Sequence, residues 1–157
     1  IGFTAQNFYE PNAIPLIIEA AQKFPDVAII YIPRDKTKSD YVEYSFPNNI
    51  IFAHNLNFYN IIQHCKFHCT ISSSCALEAP TLGIQNLLFN YKDRAKIYYS
   101  KMLNSDNTKY FDTVESLIEY SLQTSPKSNV ELRDSNSHLI KTRFEKNVEQ
   151  FINQYLS

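Results

Sequence analysis

Short apolar runs of strand length alternate along the chain with segments in which apolar residues recur at helical spacing. Val27–Ile32 is continuously apolar and rich in β-branched residues, as expected of a strand buried on both faces of a parallel sheet. Five further runs are predicted strands: Ile1–Ala5, Ile50–Ala53, Phe67–Ile71, Asn86–Phe89 and Tyr110–Phe111. Since strands without polar alternation are separated by helices, the pattern predicts a doubly wound α/β fold.

The segments between the predicted strands carry helix signals. Asn12 and Pro15 are expected to introduce the first helix, because proline fits the first turn of a helix, and Pro25 is expected to end it. Asp112, with Glu115 three residues later, has the spacing of a capping box for another helix. The other predicted helices occupy Phe58–Cys65, Cys75–Ala79, the residues after Asp93, and a long terminal segment from Leu139 to Tyr155.

Two polar stretches, Arg34–Asn49 and Pro126–Ser137, are predicted to be connections. The whole chain, residues 1–157, is then expected to form one Rossmann-like domain of three layers, with helices on both faces of a mostly parallel sheet. The chain begins at Ile1, inside an apolar run and not at a methionine, which favours its being part of a longer protein.

Composition narrows the possible classes of protein. The chain is 44% hydrophobic and 20% charged, so it has enough apolar surface to offset the entropy of ordering. Fifteen basic and sixteen acidic residues give a net charge of −1, which argues against a surface for nucleic acid. The two glycines, Gly2 and Gly83, cannot form a GxGxxG or Walker loop, so dinucleotide-fingerprint and P-loop enzymes are disfavoured.

The three cysteines are interpreted as unpaired residues of a reducing compartment, and the expected location is the cytoplasm. A zinc site is the alternative, formed by His64, Cys65, His68 and Cys69. We disfavour it, because side chains alternate between opposite faces of the predicted strand and no second ligand pair follows. No metal or cofactor is therefore expected. No apolar run approaches the 18–20 residues or so that span a bilayer.

Polar residues follow several of the predicted strands. In an open parallel sheet, ligands bind at the carboxyl ends of the strands. The candidates in these positions are Thr4, Gln6, Arg34, Asp35, His54, Ser72–Ser74 and Asn90–Arg94. Arg34 is a candidate cation for a diphosphate, and His54 is a candidate contact to a base or phosphate. A solvated charge cluster for Arg34 and simple packing for His54 are the alternatives.

Three consecutive serines, Ser72, Ser73 and Ser74, stand at a predicted junction between a strand and a helix. Hydroxyls and free backbone N–H groups at such a junction suit a phosphate. Glu78 lies about one helical turn further along, where a carboxylate can accept hydrogen bonds from the vicinal hydroxyls of a ribose. The alternative is capping by one serine, with Glu78 solvated on the helix.

The segment Ser72–Gly83, SSSCALEAPTLG, resembles the signature of the nucleotide-sugar-binding C-terminal half of GT-B glycosyltransferases and of their relative UDP-N-acetylglucosamine 2-epimerase. In those proteins a turn rich in serine and glycine binds the diphosphate, and a glutamate ahead of a glycine binds the ribose. The resemblance implies that Ser72, Ser73 and Ser74 form the diphosphate turn and that Glu78 binds the ribose. It covers about residues 1–122.

Three features of the chain depart from the epimerase pattern. Ser73 and Ser74 stand where the epimerase has adjacent glycines, and Leu77 stands where it has a second acidic residue. The run Tyr91–Arg94 also differs from the epimerase's arginine-containing run. These departures favour a glycosyltransferase over an epimerase.

The resemblance implies the donor-binding half of a glycosyltransferase that acts in surface polysaccharide biosynthesis. Its expected partners are a nucleotide-sugar donor, an N-terminal acceptor-binding domain outside this chain, and membrane-bound polysaccharide machinery on which it is peripheral. The catalytic residue is not assigned, and the chain alone is expected to bind nucleotide weakly without turnover. The alternatives are an epimerase-like half and a non-catalytic α/β module whose aromatic face docks a partner.

Overall fold

Parallel strand pairing organises the chain. The computed structural model describes residues 1–5, 9–34, 38–53 and 57–139. The strands in this part are β1 (Gly2–Thr4), β2 (Ile29–Ile32), β3 (Ile50–Phe52), β4 (Phe67–Cys69), β5 (Gln85–Phe89) and β6 (Thr108–Phe111). They lie in the order β3-β2-β1-β4-β5-β6, and every pairing is parallel. This order confirms the predicted doubly wound, Rossmann-like α/β fold.

Helices lie in the connections that follow four of the strands and after the last strand. They are α1 (Glu10–Lys23), α2 (Phe58–Ile62), α3 (Cys75–Glu78), α4 (Arg94–Tyr99), α5 (Val114–Gln123) and α6 (Asn129–Ser135). The short helix α3 runs directly into a 3-10 helix at Ala79–Leu82, which Gly83 ends. Every predicted strand, and every predicted helix that falls within the described residues, is thus present, although most are shorter than the apolar runs that predicted them.

The two faces of the sheet pack against different helices. On one face, Phe3 and Tyr31 stack with ring centroids 6.0 Å apart, in a core that includes residues of α1 and α5. On the other face, Ile62 of α2 packs with Ala79, which follows α3. Because side chains alternate along a strand, Thr4 lies on the second face when its neighbour Phe3 lies on the first. This second face carries the candidate site.

The first helix begins earlier than predicted. Helix α1 starts at Glu10 with Pro11 in its first turn, and Pro15 lies inside the helix. Pro15 is exposed, so its ring projects to solvent, and the helix continues to Lys23 despite the missing N–H. The prediction that Asn12 and Pro15 introduce this helix is therefore wrong.

The predicted capping box at Asp112 is also wrong. Thr113 is the N-cap of α5, and its hydroxyl accepts a hydrogen bond from the Ser116 amide at 3.2 Å. Asp112 instead accepts a hydrogen bond from the Asn90 side chain at 2.8 Å. Asp93 does precede α4 as predicted, but its side chain makes no capping hydrogen bond.

Both predicted connections contain regular structure. Helix α6 lies within Pro126–Ser137, and only Leu132 of this helix is buried, so the sequence shows no apolar stripe there. Arg34–Asn49 contains a 3-10 helix at Lys38–Tyr41 and is held to the sheet by aromatic packing. The Phe46 ring lies 4.6 Å from that of Phe52. The long helix predicted from Leu139 to Tyr155 lies outside the described residues, apart from Leu139 itself.

Gly83 occupies a position that requires glycine. Its φ is +81°, in the left-handed region that residues with a side chain rarely adopt. A Cβ at this position would lie 2.7 Å from the Cβ of Asn129, the first residue of α6. Gly83 therefore allows the chain to turn from the 3-10 helix into β5 directly beneath α6.

We predict that Gly83→Ala lowers the free energy of unfolding by about 1–3 kcal/mol, because it adds both backbone strain and a steric clash. Urea unfolding followed by circular dichroism measures the effect. Measured against Asn129→Gly alone, the double variant with Gly83→Ala should show a smaller loss, because the side-chain part of the clash is gone while the strain and the 3.0 Å approach to the Asn129 Cα remain. An unchanged urea midpoint in Gly83→Ala would contradict the left-handed assignment.

Candidate functional site

An open cleft lies at the carboxyl ends of the central strands. The sheet order reverses its direction between β1 and β4, which is where open α/β sheets bind ligands. The cleft has a volume of about 310 Å³. It is lined by Thr4, Ala5, Ile32, Pro33, Arg34, Phe58, Ser73, Ser74 and Cys75. The cleft thus joins the ends of β1 and β2 to the turn between β4 and α3.

Buried or half-buried groups hold the serine turn, Ser72–Ser74, in place. The Ser73 amide donates to the Thr70 hydroxyl at 3.3 Å, and the Tyr99 hydroxyl donates to the Ser73 carbonyl at 2.7 Å. The Thr70 hydroxyl in turn donates to the Thr4 carbonyl at 2.9 Å, which ties the turn to β1. The structure therefore fixes the backbone of Ser73 from beneath the cleft.

The three predicted serines differ in their positions. Ser73 and Ser74 line the cleft, whereas Ser72 is half-buried and does not. Ser74 is exposed at the N-cap of α3, and its side chain makes no capping hydrogen bond. Since α3 has only four residues, its dipole is small. Any phosphate affinity of this turn must therefore come mainly from hydroxyl groups.

Of the predicted basic and polar contacts, Arg34 is placed at the cleft. Its side chain is exposed and lines the cleft opposite the serine turn. His54, Gln6 and Asp35 lie outside the described residues, so their predicted roles stay predictions. Arg34 is the only Lys or Arg residue among those that line the cleft within the described part.

Glu78 lies beside the cleft and does not line it. The Tyr59 hydroxyl of α2 donates to the Glu78 carboxylate at 2.6 Å. This hydrogen bond raises the pKa of Tyr59 above its ordinary value. Glu78 lies three residues after Cys75 on α3, on the same side of the helix, and Cys75 lines the cleft, so the pair of Tyr59 and Glu78 stands near the cleft's edge. One carboxylate oxygen of Glu78 is thereby occupied by tyrosine.

His68, which the sequence pointed to only as a disfavoured zinc ligand, is a buried polar group beneath the cleft. This imidazole is fully buried in β4, with Nε2 2.9 Å from the Thr4 hydroxyl and Nδ1 2.7 Å from the Asn86 side-chain oxygen. Burial lowers the pKa of His68 to about 4, so the ring is neutral at physiological pH. The available signal was that Thr4, His68 and Asn86 are polar residues next to apolar ones in three of the predicted strands.

Cys75 is another group that the sequence did not place at the cleft. Cys75 lines the cleft, and its backbone amide donates to the Ser73 hydroxyl at 3.4 Å. Burial raises the pKa of the Cys75 thiol above its ordinary value, so it remains protonated. All three cysteines are unpaired, as predicted, and Cys65 and Cys69 are buried.

The segment after β5, Asn90–Arg94, has an unusual backbone. Lys92 and Asp93 have φ angles of +49° and +59°. The side-chain amide of Asn90 donates to the carboxylates of Asp93 and Asp112, at 3.0 and 2.8 Å. These hydrogen bonds hold the turn between β5 and α4 in place. None of these residues lines the described cleft, so a role for Tyr91 or Arg94 at a sugar stays a prediction.

Two other kinds of feature are absent from the described residues. No cluster of three His, Cys, Asp or Glu side chains is arranged to hold a metal ion. No helix in this part has the length and apolar character needed to cross a membrane.

Comparisons with known proteins place the fold. No protein-family profile and no curated protein matches the chain. Among solved structures, the glycotransferase of kitacinnamycin aligns with a TM-score of 0.63 and 10% identity, over 95% of this chain and 42% of that one. The spinosyn forosaminyltransferase SpnP aligns with a TM-score of 0.53 and 15% identity, over 94% of this chain and 43% of its own. The fold is one found in glycosyltransferases.

A third structure agrees with these two. The spinosyn rhamnosyltransferase SpnG, complexed with spinosyn aglycone, aligns with a TM-score of 0.51 and 13% identity, over 90% of this chain and 37% of its own. The chain therefore spans about two fifths of the length of these glycosyltransferases. At such identities the likeness establishes the shared fold and not the reaction.

Acidification should destabilise the protein through His68. The unfolded histidine binds a proton near pH 6.5, whereas the folded one does so only near pH 4. The stabilising contribution is thus complete above pH 6.5 and is lost as the pH falls towards 4. Between pH 7 and pH 5 the loss amounts to about 2 kcal/mol of unfolding free energy.

Urea unfolding at several pH values measures this loss, and His68→Gln serves as the control because it cannot titrate. The difference between the wild type and this variant should grow smaller as the pH falls from 7 to 5. If both lose stability equally over that range, the assignment of a buried neutral imidazole is wrong.

Proposed function

We propose that the chain is the donor-binding half of a glycosyltransferase and that it binds a nucleotide sugar in the described cleft. The observation that carries the proposal is the meeting of Arg34, Ser73 and Ser74 around one cleft, at the reversal of strand order. Hydroxyls and a guanidinium are donors that a diphosphate requires. The shared fold of the glycosyltransferase structures supports the same conclusion.

In this proposal the diphosphate lies between Arg34 and the serine turn. The exposed hydroxyl of Ser74 donates to a phosphate oxygen, and the guanidinium of Arg34 neutralises charge on the opposite side of the cleft. When the sugar is transferred, negative charge develops on the departing nucleoside diphosphate. Donors that are already in position stabilise this charge without reorganisation, which lowers the barrier to transfer.

The proposed ribose contact is made by Glu78. Its carboxylate stands at the edge of the cleft, about one turn along the chain from Cys75. The Tyr59 hydroxyl donates to one oxygen at 2.6 Å, so the other oxygen and the remaining lone pairs are left for the ribose hydroxyls. A nucleotide would then extend from the serine turn towards α2.

The rest of the proposal concerns what lies outside this chain. An acceptor-binding domain is proposed to precede it, in keeping with its span of about two fifths of the related structures. The unpaired cysteines support a reducing location such as the cytoplasm. No described residue bears on the acceptor, so surface polysaccharide and a membrane-bound assembly remain predictions from the sequence.

Calorimetric titration with UDP, CMP, GDP and CDP tests the donor site. Glu78→Ala should weaken binding of the preferred nucleotide by about 1.5–3 kcal/mol, because a charge-assisted contact to the ribose is lost. Glu119→Ala is the matched control, since Glu119 is exposed on α5, on the other face of the sheet. Equal affinities of Glu78→Ala and wild type would reject the role of Glu78.

A second variant tests the diphosphate contact. Ser74→Ala should weaken binding of the preferred nucleoside diphosphate about fivefold, the value of one hydrogen bond. The affinity for the matching nucleoside, which has no phosphate, should not change. A nucleoside that loses as much affinity as its diphosphate would show that Ser74 acts elsewhere than at phosphate. If no nucleotide binds to the wild type, the function as a donor-binding half is refuted.

A further inference from the structure

A continuous set of hydrogen bonds runs beneath the cleft from α3 across the sheet. The Asn86 side-chain amide of β5 donates to the Ala76 carbonyl of α3 at 2.7 Å. Asn86 also contacts His68 of β4 at 2.7 Å, and His68 contacts the Thr4 hydroxyl of β1 at 2.9 Å. The Thr4 carbonyl accepts from the Thr70 hydroxyl at 2.9 Å, and that hydroxyl accepts from the Ser73 amide at 3.3 Å. The set therefore runs from the first turn of α3 across three strands to the serine turn that precedes it.

Pro80 explains why Asn86 contacts α3. In an α-helix the carbonyl of Ala76 would accept from the amide of the fourth residue on, and that residue is Pro80, which has no N–H. Asn86 supplies the missing donor. Since Ala76 is fully buried, its carbonyl would otherwise be left without a partner at considerable cost.

This contact fixes the direction of the other hydrogen bonds. The Asn86 NH₂ group faces Ala76, so its oxygen faces His68 and must accept a hydrogen bond from Nδ1–H. A neutral imidazole with its proton on Nδ1 has an acceptor at Nε2. The Thr4 hydroxyl therefore donates its one proton to Nε2 at 2.9 Å, in preference to the Cys69 carbonyl, which is more distant at 3.5 Å.

His68 is separated from the cleft and does not itself touch a ligand. Its side chain is fully buried, and the ring of Phe58, which lines the cleft, packs edge-on against it with centroids 5.7 Å apart. Its hydrogen bonds connect it to the cleft through Thr4 and Asn86. Both of these residues are buried, and both are hydrogen-bonded to the segment that follows β4, Thr4 to Thr70 and Asn86 to Ala76.

We propose that His68 is a positioning residue, which acts through Thr4 and Asn86 to fix the serine turn and the first turn of α3 in the geometry that receives the diphosphate. Only the identity of the ligand, a diphosphate, rests on the proposed function; the positioning of the turn does not. Four residues of helix cannot hold a stable conformation by themselves, so α3 needs such external contacts. The set of hydrogen bonds supplies them from three neighbouring strands.

A pair of substitutions at Thr4 isolates the hydroxyl. Thr4→Val removes the hydroxyl and keeps the shape, whereas Thr4→Ser keeps the hydroxyl. Ile118→Val, in the core of the opposite face, is a control for a general loss of stability.

The first measurement is amide hydrogen exchange of Ser73–Leu77 in the ligand-free protein. Thr4→Val should raise these exchange rates about fivefold or more, the loss of one hydrogen bond, and Thr4→Ser should leave them nearly unchanged.

Two further measurements separate positioning from a purely structural role. The ¹⁵N spectrum of the histidine side chains should show the Nδ1–H tautomer of His68 in the wild type and a changed Nε2 shift in Thr4→Val. The affinity for the preferred nucleoside diphosphate should fall about fivefold in Thr4→Val and should not change in Ile118→Val.

The outcomes distinguish this proposal from the donor site itself. An Nε2–H tautomer in the wild type, or equal exchange at Ser73–Leu77 in Thr4→Val and Thr4→Ser, overturns the positioning role even if nucleotide binds. Wild-type affinity in Thr4→Val also overturns it. If the exchange and tautomer results are as expected but no nucleotide binds, the turn is positioned as proposed and the donor-binding function has failed.

Discussion

The central position of β1 determines the rest of this structure. β1 has only three residues, yet it pairs with β2 on one side and with β4 on the other. Both neighbours run parallel to it, so the chain that follows each strand emerges at the same edge of the sheet. The serine turn, Arg34 and the end of β1 meet there because the pairing leaves them no other arrangement.

Polar groups in the middle of this sheet have a physical cost that the hydrogen bonds offset. Thr4, His68 and Asn86 are buried and would destabilise the fold if any one of them lacked a partner. Leucine or valine at these positions would pack without that risk. Their arrangement instead connects three strands to one short helix, whose first residue, Cys75, lines the cleft next to Ser73 and Ser74. The same residues therefore link the stability of the sheet to the geometry of the candidate site.

Much of the fold was predictable because buried parallel strands leave a clear pattern. Val27–Ile32 and Asn86–Phe89 predicted β2 and β5, and the strand-and-helix alternation predicted the layers. Contacts between distant residues were not predictable, such as the hydrogen bond from Asn90 to Asp112, which takes Asp112 away from its own helix. Helix α6 was not predictable for a different reason: it has a single buried residue and so shows no apolar stripe. At the site, Ser73, Ser74 and Arg34 could be named as candidates because each follows a predicted strand. His68 could not, because its partners lie 64 and 18 residues away.

The position of β1 also bears on how the chain folds during its synthesis. The pairing of Gly2 with His68 joins residues that are more than about sixty positions apart in the chain. β1 therefore leaves the ribosome well before its partner β4 exists, and one of its edges stays unpaired until then. An unpaired edge in a hydrophobic strand invites association with other chains. The slowest and most aggregation-sensitive stage of folding should accordingly be the wait for β4, with the β1–β3 half already in place.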